Sequence, residues 1–313
     1  MSSRRLVFAF YDPHWIRERD SIPLLAQTPV TALEYEDIMQ SKLYCPQCYE
    51  SIIRVPCDES KSNLSNGSEA YFRHVLNDNH PPCNLRSGPV VGRAYATEEE
   101  ATRAVEDEEF IVLTGFMQER PENNPRADWD GEEDPAETHF EDANGRPVNL
   151  PVARHNGQEF RLPSKISSVQ ALVVNFLKNY YREIILVKDD NTVSRFIFCD
   201  ALKDVNFIND EVNSPLFYFG VITKVDVWAS HNTIWLRINN RNNLQDFRVK
   251  VKNEVATDRG WTEERIVGRI IVFYSTIRSV GTGYWTPTDL CWGEVAVLPR
   301  KYNEFILNTH KSI

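Results

Sequence analysis

Between residues 216 and 300 the sequence spells out five extended stretches with one helical stretch after the third, and few folds accept that order. "LFYFGVITKVDVW" (216–228), "TIWLRIN" (233–239) and "FRVKVK" (247–252) are rich in β-branched and aromatic residues, and parts of them alternate apolar with polar. "SHN" and "NRNNLQD" separate them with turn-forming residues. "TDRGWTEERIVG" (257–268) reads as a helix, and "RIIVFYSTIRSV" (269–280) and "LCWGEVAVLPR" (290–300) read as two more strands. Five short strands of this kind are expected to close into a barrel, because closure removes the exposed strand edges.

A helix between the third and fourth of five strands is the order of the OB barrel, whose outer groove binds oligonucleotides and oligosaccharides. The expected fold class is therefore α+β, with a C-terminal five-stranded OB-like β-barrel over 211–313. Single-stranded nucleic acid is held by aromatic faces that stack on bases and by cations that follow phosphates. The candidates are Trp228, Trp235, Tyr274 and Trp285 for stacking, and Lys224, Arg237, Arg248, Lys250, Lys252 and Arg278 for phosphates. Arg248, Lys250 and Lys252 alternate and so share one strand face, as do Trp235 and Arg237. "SVGTGYWTPTDLCW" (279–292) is expected to be the loop between the last two strands, a position that often touches ligand. Against this, residues 206–300 hold 11 Lys+Arg and ten Asp+Glu, close to neutral. Half of the aromatics suit a barrel core, and a barrel that binds other proteins has the same composition.

A second feature lies near the amino end. Cys45, Cys48, His74 and Cys83 are spaced C-x2-C-x25-H-x8-C, and a Cys-x2-Cys turn can aim two thiolates at one ion. The 25-residue gap includes the polar "DESKSNLSNGSE", and loops between ligand pairs tolerate such length. His80 is a rival to His74, and Cys57, beside Pro56, is less suited. Four of the six cysteines fall within 39 residues, which favours metal over a disulfide scaffold. Four protein ligands close a zinc site, so the expected cofactor is a structural Zn2+ in a small N-terminal domain. The HxE…PCxxC order of zinc deaminases is missing, as are P-loop, GxSxG and HExxH motifs.

The stretch "LEYEDIMQSKLYCPQCYESIIRVP…AYFRHVLNDNHPPC" resembles the N-terminal zinc-finger segment of CoiA-like proteins. Cys45, Pro46 and Cys48 match the family's CPxC pair. Phe72 and His74 match its aromatic-x-His element, and Cys83 its trailing cysteine; Tyr71 stands where the family often has another histidine. The resemblance covers about residues 35–85 and implies a nucleic-acid setting, such as DNA uptake or handling. A nuclease-like domain often follows in that family. Its carboxylates would need a strand-borne E-x-K-like pair, and "ILVKDDN" (185–191) is only a weak echo.

The rest of the chain organises around these two features. The expected units are a zinc-binding domain at 1–92, an acidic helix and linker at 93–150, a helix–strand connector at 151–210 and the barrel. "LVFAF" reads as a first strand, Thr97 as the cap of a helix over 97–110, and "FIVLTGF" (110–116) and "SRFIFCDAL" (194–202) as strands. "LPSKISSVQALVVNFLKNYYREIILV" (162–187) reads as one long core helix, because its apolar residues recur at three- and four-residue steps. Residues 95–145 carry 17 Asp+Glu against three Arg, a local net of −14, which leaves +4 for the remainder of a chain of net charge −10. This acidic segment, 95–145, is expected to be a protein-partner site, and the overlapping 118–148 stretch, too polar to order itself well, a long acidic loop or linker. No run of 18 apolar residues is present, so the protein is expected to be cytoplasmic and to lack a membrane span. The expected function is a non-enzymatic, zinc-containing protein that binds single-stranded DNA or RNA, as an accessory or sensor subunit in DNA processing or phage defence. A structural adaptor and a cryptic metal-dependent nuclease are the alternatives.

Overall fold

The computed structural model describes residues 6, 8–15, 25, 28–64, 69–75, 83, 85, 95–107, 110–120, 145–150, 159–164, 166–180, 182–187, 192–208, 210–239, 246–281 and 283–309, with the side chains of 145–148 excepted. In the N-terminal unit, strand β1 (Phe8–Tyr11) lies between β2 (Pro29–Thr31) and β3 (Leu43–Tyr44), antiparallel to both. β4 (Ile52–Val55) and β5 (Tyr71–His74) form an antiparallel hairpin, tied to the sheet by bridges Leu6–Phe72 and Tyr44–Ser51. Alternation along β4 splits its side chains. Ile52 joins Leu6, Leu43, Phe72, Cys45 and Cys48 in a small local core, while Ile53 and Val55 enter a much larger one.

Arg54, 2 % exposed, holds this unit's loops. Its guanidinium donates to the carbonyls of Ala32 (2.6 Å), Pro56 (2.7 Å), Asp58 (2.6 Å) and Lys61 (2.7 Å), and it packs over the Tyr35 ring at 5.2 Å. A planar fork of donors suits this task, and its burial is tolerable because nearly every donor is used.

In the central region, β6 (Phe110–Leu113) runs parallel to β9 (Glu183–Val187), and β10 (Val193–Ile197) is antiparallel to β9. A hairpin of β7 (Gly145–Leu150) and β8 (Phe160–Ser164) stands beside them. The acidic helix forms as Glu98–Glu106. Thr97 accepts the Glu100 N–H at 3.2 Å, and three glutamates occupy the first turn. Of the acidic stretch 118–148, most lies outside the described residues.

The long helix expected over 162–187 is not there. The stretch begins in β8, forms two short helices, Val169–Val174 and Phe176–Tyr180, and ends in β9. The helical register breaks at Asn175 (φ −102, ψ 49). The apolar run "IILV" of β9 is continuous because β9 is a central strand buried on both faces, a pattern that periodicity alone cannot tell from a buried helix. "SRFIFCDAL" likewise divides into β10, a four-residue helix Phe198–Ala201 and β11 (Leu202–Asp204).

The C-terminal region is a closed five-stranded barrel in an α+β chain. β12 (Val212–Val227), β13 (His231–Leu236), β14 (Asp246–Lys252), β15 (Ile270–Gly281) and β16 (Tyr284–Pro287) are arranged β12-β13-β14-β16-β15, and β15 pairs back onto β12. The β14–β16 pairing is parallel and the others are antiparallel. β12 serves two neighbours by changing partner at a bulge between Ile222 and Lys224. Gly220 sits at the tight side of this crossing, where a Cβ would lie 2.8 Å from Leu236 and 2.9 Å from Val205.

Two expectations are corrected here. The fifth barrel strand is β16, inside the stretch read as a loop, whereas 290–300 supplies a 3-10 turn and a short strand β17 (Val295–Val297) on the far edge of β15. The single helix expected over 257–268 is two short helices, Asn253–Asp258 and Glu263–Ile266, separated at Gly260 (φ 60).

β12 over 217–222 and β15 over 270–273 are buried on both faces. Tyr218, Ile222, Ile271 and Phe273 point into the barrel, which is filled from across by Phe247, Val249 and Val251. Phe217, Phe219 and Val272 point outward into the large core with Ile53, Val55, Leu113, Leu172 and Phe176. At that junction Gly293 donates to the Met117 carbonyl (2.8 Å), and Arg259 bonds Gln170 (2.9 Å) while lying 4.1 Å from the Trp292 ring centre. Among the described residues no helix is long and apolar enough to cross a membrane.

Candidate functional site

Cys45 follows β3, and the chain turns back at once into β4. Cys45 donates its N–H to Glu50 O (2.8 Å), and Tyr49 donates to Cys45 O (3.0 Å). Tyr49 takes φ 59, a left-handed conformation that costs a non-glycine residue about 1–2 kcal/mol and persists only where the surroundings impose it. This tight turn puts both sulfurs on one side and aims the Gln47 N–H at Cys45 Sγ (3.4 Å). His74 arrives through strand pairing: it lies opposite Ile52 in the β4–β5 hairpin, four residues after Cys48.

The four predicted ligands converge. Their donor atoms all lie within 4.8 Å of one another. Cys45 Sγ is 3.8 Å from Cys83 Sγ, and Cys48 Sγ is 3.2 Å from His74 Nε2. Cys45, Cys48 and His74 are buried, and Cys83 is half-buried with its sulfur 3.6 Å from Gln47 Oε1. All six cysteines are free thiols, and 3.8 Å is far too long for a disulfide. Burial pushes the Cys45 thiol up to about 12, with the neighbouring Cys48 adding to the rise and backbone donors opposing it. A buried thiolate is disfavoured in this pocket unless a cation balances it, and three sulfurs with one imidazole can hold a metal ion. The rival His80 lies outside the described residues.

The barrel candidates divide into two groups. β12, β13 and β14 are neighbours, and their register places nine positions of one sheet face in three rows, of which Thr233 at the centre is buried. Lys224, Trp235 and Arg248 form the first row. Asp226, Thr233 and Lys250 form the second. The third joins Trp228, whose N–H donates to His231 O (2.9 Å), with His231 and Lys252. Trp228 is 57 % exposed, and its ring stacks on His231 at 6.4 Å and 19°. Lys250 and Lys252 are exposed and Arg248 is half-buried.

The other candidates lie elsewhere. Tyr274 is half-buried against the large core, with Phe116 (5.1 Å) and Phe217 (4.9 Å) packed on its ring, away from the β12–β14 face. Trp285 on β16 packs against the barrel's inner core. Arg278 is exposed on β15, two strands away from β14, and Arg237 is exposed one residue beyond β13.

Two residues of this face were not anticipated. Asp226 accepts the Trp235 indole N–H and pairs with Lys224 Nζ, both at 2.7 Å. The Lys224 and Trp235 bonds hold its carboxyl below the usual carboxylate range. Asn253 clamps the β12–β13 turn by donating to the carbonyls of Trp228 (2.9 Å) and Ala229 (3.0 Å). Asp226 shares its strand face with Lys224 and Trp228 by alternation, which was legible. Its cross-strand bond to Trp235 depends on register, which was not. Compared with known proteins, the chain matches no family model and no curated protein.

Proposed function

We propose that this chain is a non-enzymatic, zinc-containing protein that binds single-stranded nucleic acid on the outer face of β12–β14. The observation that carries the binding reading is the row register: two tryptophans and four cations from three adjacent strands on one surface. Zinc is favoured by donor chemistry, since three thiolates and an imidazole are its usual structural set. Geometry supports it too. Zn–S bonds of about 2.3 Å at tetrahedral angles hold two sulfurs about 3.8 Å apart, and the Cys45–Cys83 separation is 3.8 Å. Four protein ligands leave no open position for substrate, so the metal's role is to fold the unit.

The resemblance to CoiA-like fingers supports a role in DNA processing or phage defence, as an accessory or sensor subunit. The acidic 95–145 stretch, represented here by the helix Glu98–Glu106, is the proposed site for a protein partner. Free thiols fit a reducing cytoplasm. A structural adaptor is the second reading, favoured by one observation: Asp226 neutralises Lys224 in the middle of the face.

Metal content by elemental analysis and fluorescence anisotropy with labelled dT oligonucleotides test both halves. The expected results are about one zinc per chain and salt-sensitive binding that Lys250→Glu/Lys252→Glu abolishes. Absence of salt-sensitive binding at micromolar protein, with a stable co-purifying protein instead, supports the adaptor. Degradation of plasmid with Mg2+ or Mn2+ would overturn the non-enzymatic reading.

A further inference from the structure

The three rows of the β12–β14 face are not equivalent, and their differences specify how a strand lies on it. This inference rests on the nucleic-acid reading above. Along β14, Arg248, Lys250 and Lys252 stand two residues apart, a step of about 6.8 Å. This is close to the contour distance between successive phosphates of an extended single strand, so three cations form a rail for three phosphates. On β13 and the turn before it, rings occupy only the outer rows. Trp235 sits in the row of Arg248, and the Trp228–His231 stack sits in the row of Lys252. These stations are four residues apart on β13, about 13–14 Å, or two phosphate steps. The middle row holds Asp226, Thr233 and Lys250, with no ring.

Asp226 fixes the sidedness. Its carboxylate stands on β12, across the face from Lys250 and Lys252 on β14, and its two oxygens engage Trp235 and Lys224 at 2.7 Å. The Lys224–Asp226 pair leaves β12 without a net cation, so the unpaired positive charge of the face lies on β14. Asp226 also pins the indole of Trp235 by the N–H, leaving that ring little freedom to lose on binding. Asn253 does the same for the Trp228 turn through two carbonyls.

We infer that the face takes a three-nucleotide segment of single-stranded nucleic acid with its backbone on β14, its first and third bases stacked on Trp235 and Trp228, and its middle base left unstacked above Asp226 and Thr233. The ligand class is committed by charge complementarity: a periodic cationic rail with flat rings at every second step fits a flexible polyanion bearing flat bases. A folded protein partner has neither repeat.

The test uses the full chain and a fluorescein-labelled dT trinucleotide, which matches the length of the site, together with versions carrying one abasic site at each of its three positions. In the parent protein, two abasic positions separated by one are expected to weaken binding about tenfold each, with the position between them changing it less than twofold. Lys250→Met is expected to reduce the slope of log K against log salt by about 0.7 and leave the abasic profile intact. Trp228→Ala lies in an exposed turn that unfolding does not threaten. It is expected to leave the salt slope intact and erase one of the two sensitive positions. Uniform abasic losses, or a lysine substitution that alters the abasic profile while sparing the slope, would overturn the inference with the binding reading intact. No salt-sensitive binding by the parent protein would overturn both.

Discussion

The N-terminal unit and the barrel reach a stable fold by opposite means. The barrel is over-supplied with apolar surface: β12 and β15 bury side chains on both faces, one set inside the barrel and one in the large core. The N-terminal unit divides its apolar residues between two small clusters, one around Leu43, Ile52 and Phe72 and one around Phe10, Trp15 and Leu25, and polar groups hold its ends. Four side chains able to hold a metal ion close one end, and Arg54 gathers four loop carbonyls at the other. The comparison teaches that burial area and directed bonds are alternative routes to order. A region relying on directed bonds fails sharply when one is removed, whereas a packed core degrades by degrees.

The largest expected effect comes from breaking the metal centre. Metal binding by small zinc modules is worth roughly 10–16 kcal/mol, all of it folding free energy. Cys48→Ser, or chelation of the parent protein, is therefore expected to expose the N-terminal unit to protease while the barrel's melting transition persists. Identical proteolysis with and without chelator would contradict this contrast.

Packing substitutions come next. Phe217→Ala removes a ring that touches Phe116, Phe198 and Tyr274, and is expected to cost about 4 kcal/mol by denaturant midpoint. Arg54→Met is expected to cost about 3 kcal/mol by stranding four carbonyls, and to weaken metal retention in parallel. An Arg54→Met protein that keeps its metal as tightly as the parent would mean that the loops and the centre are independent.

The pH response sharpens the same comparison because its sign depends on the metal. In metal-free protein the Cys45 thiol is raised from 9.0 to about 12, so the folded state favours the neutral form. That contribution is complete below pH 9 and declines as pH rises from 9 towards 12. With metal bound the thiolate is required, so stability is instead lost on acidification as protons displace the ion. Melting temperatures of loaded and stripped protein across pH 5 to 11 are expected to diverge in opposite directions, while the barrel transition stays level to pH 10 and declines only above it, where the Tyr218 phenol, raised by burial to about 12, begins to matter. The smallest effect is at a helix end. Thr97→Ala removes the cap bond to Glu100 and is expected to cost about 1 kcal/mol.

Much of the barrel was legible because β14 alternates strictly and β12 and β13 are rich in β-branched and aromatic residues, and alternation reports a sheet with one wet face. β16 was missed because "YWTP" is only four residues long, bounded by Gly283 and ending in a proline, all of which usually signal a loop. Its strand character exists only because β14 and β15 stand on either side to accept it. The 162–187 stretch failed for a related reason. Apolar residues at helical spacing and at buried-strand spacing look alike until neighbours are known, and β6 and β10 are the neighbours that made "EIILV" a strand. Tyr274 was a plausible stacking ring by residue type, but it lies on the half of β15 that packs against the large core, where Phe116 and Phe217 flank its ring.

Local chemistry was determined by the sequence alone: which residues can ligate a metal, which stretches must extend, and where Thr97 starts a helix. These depend on residue type and on spacings of a few bonds, which the chain carries in itself. The tertiary structure decided which of those capacities meet. His74 reaches Cys48, Asp226 reaches Trp235, and Lys250 lines up with Thr233 only through strand register and barrel closure. Those alignments are set by burying apolar surface across the whole molecule, a global balance that no short segment contains.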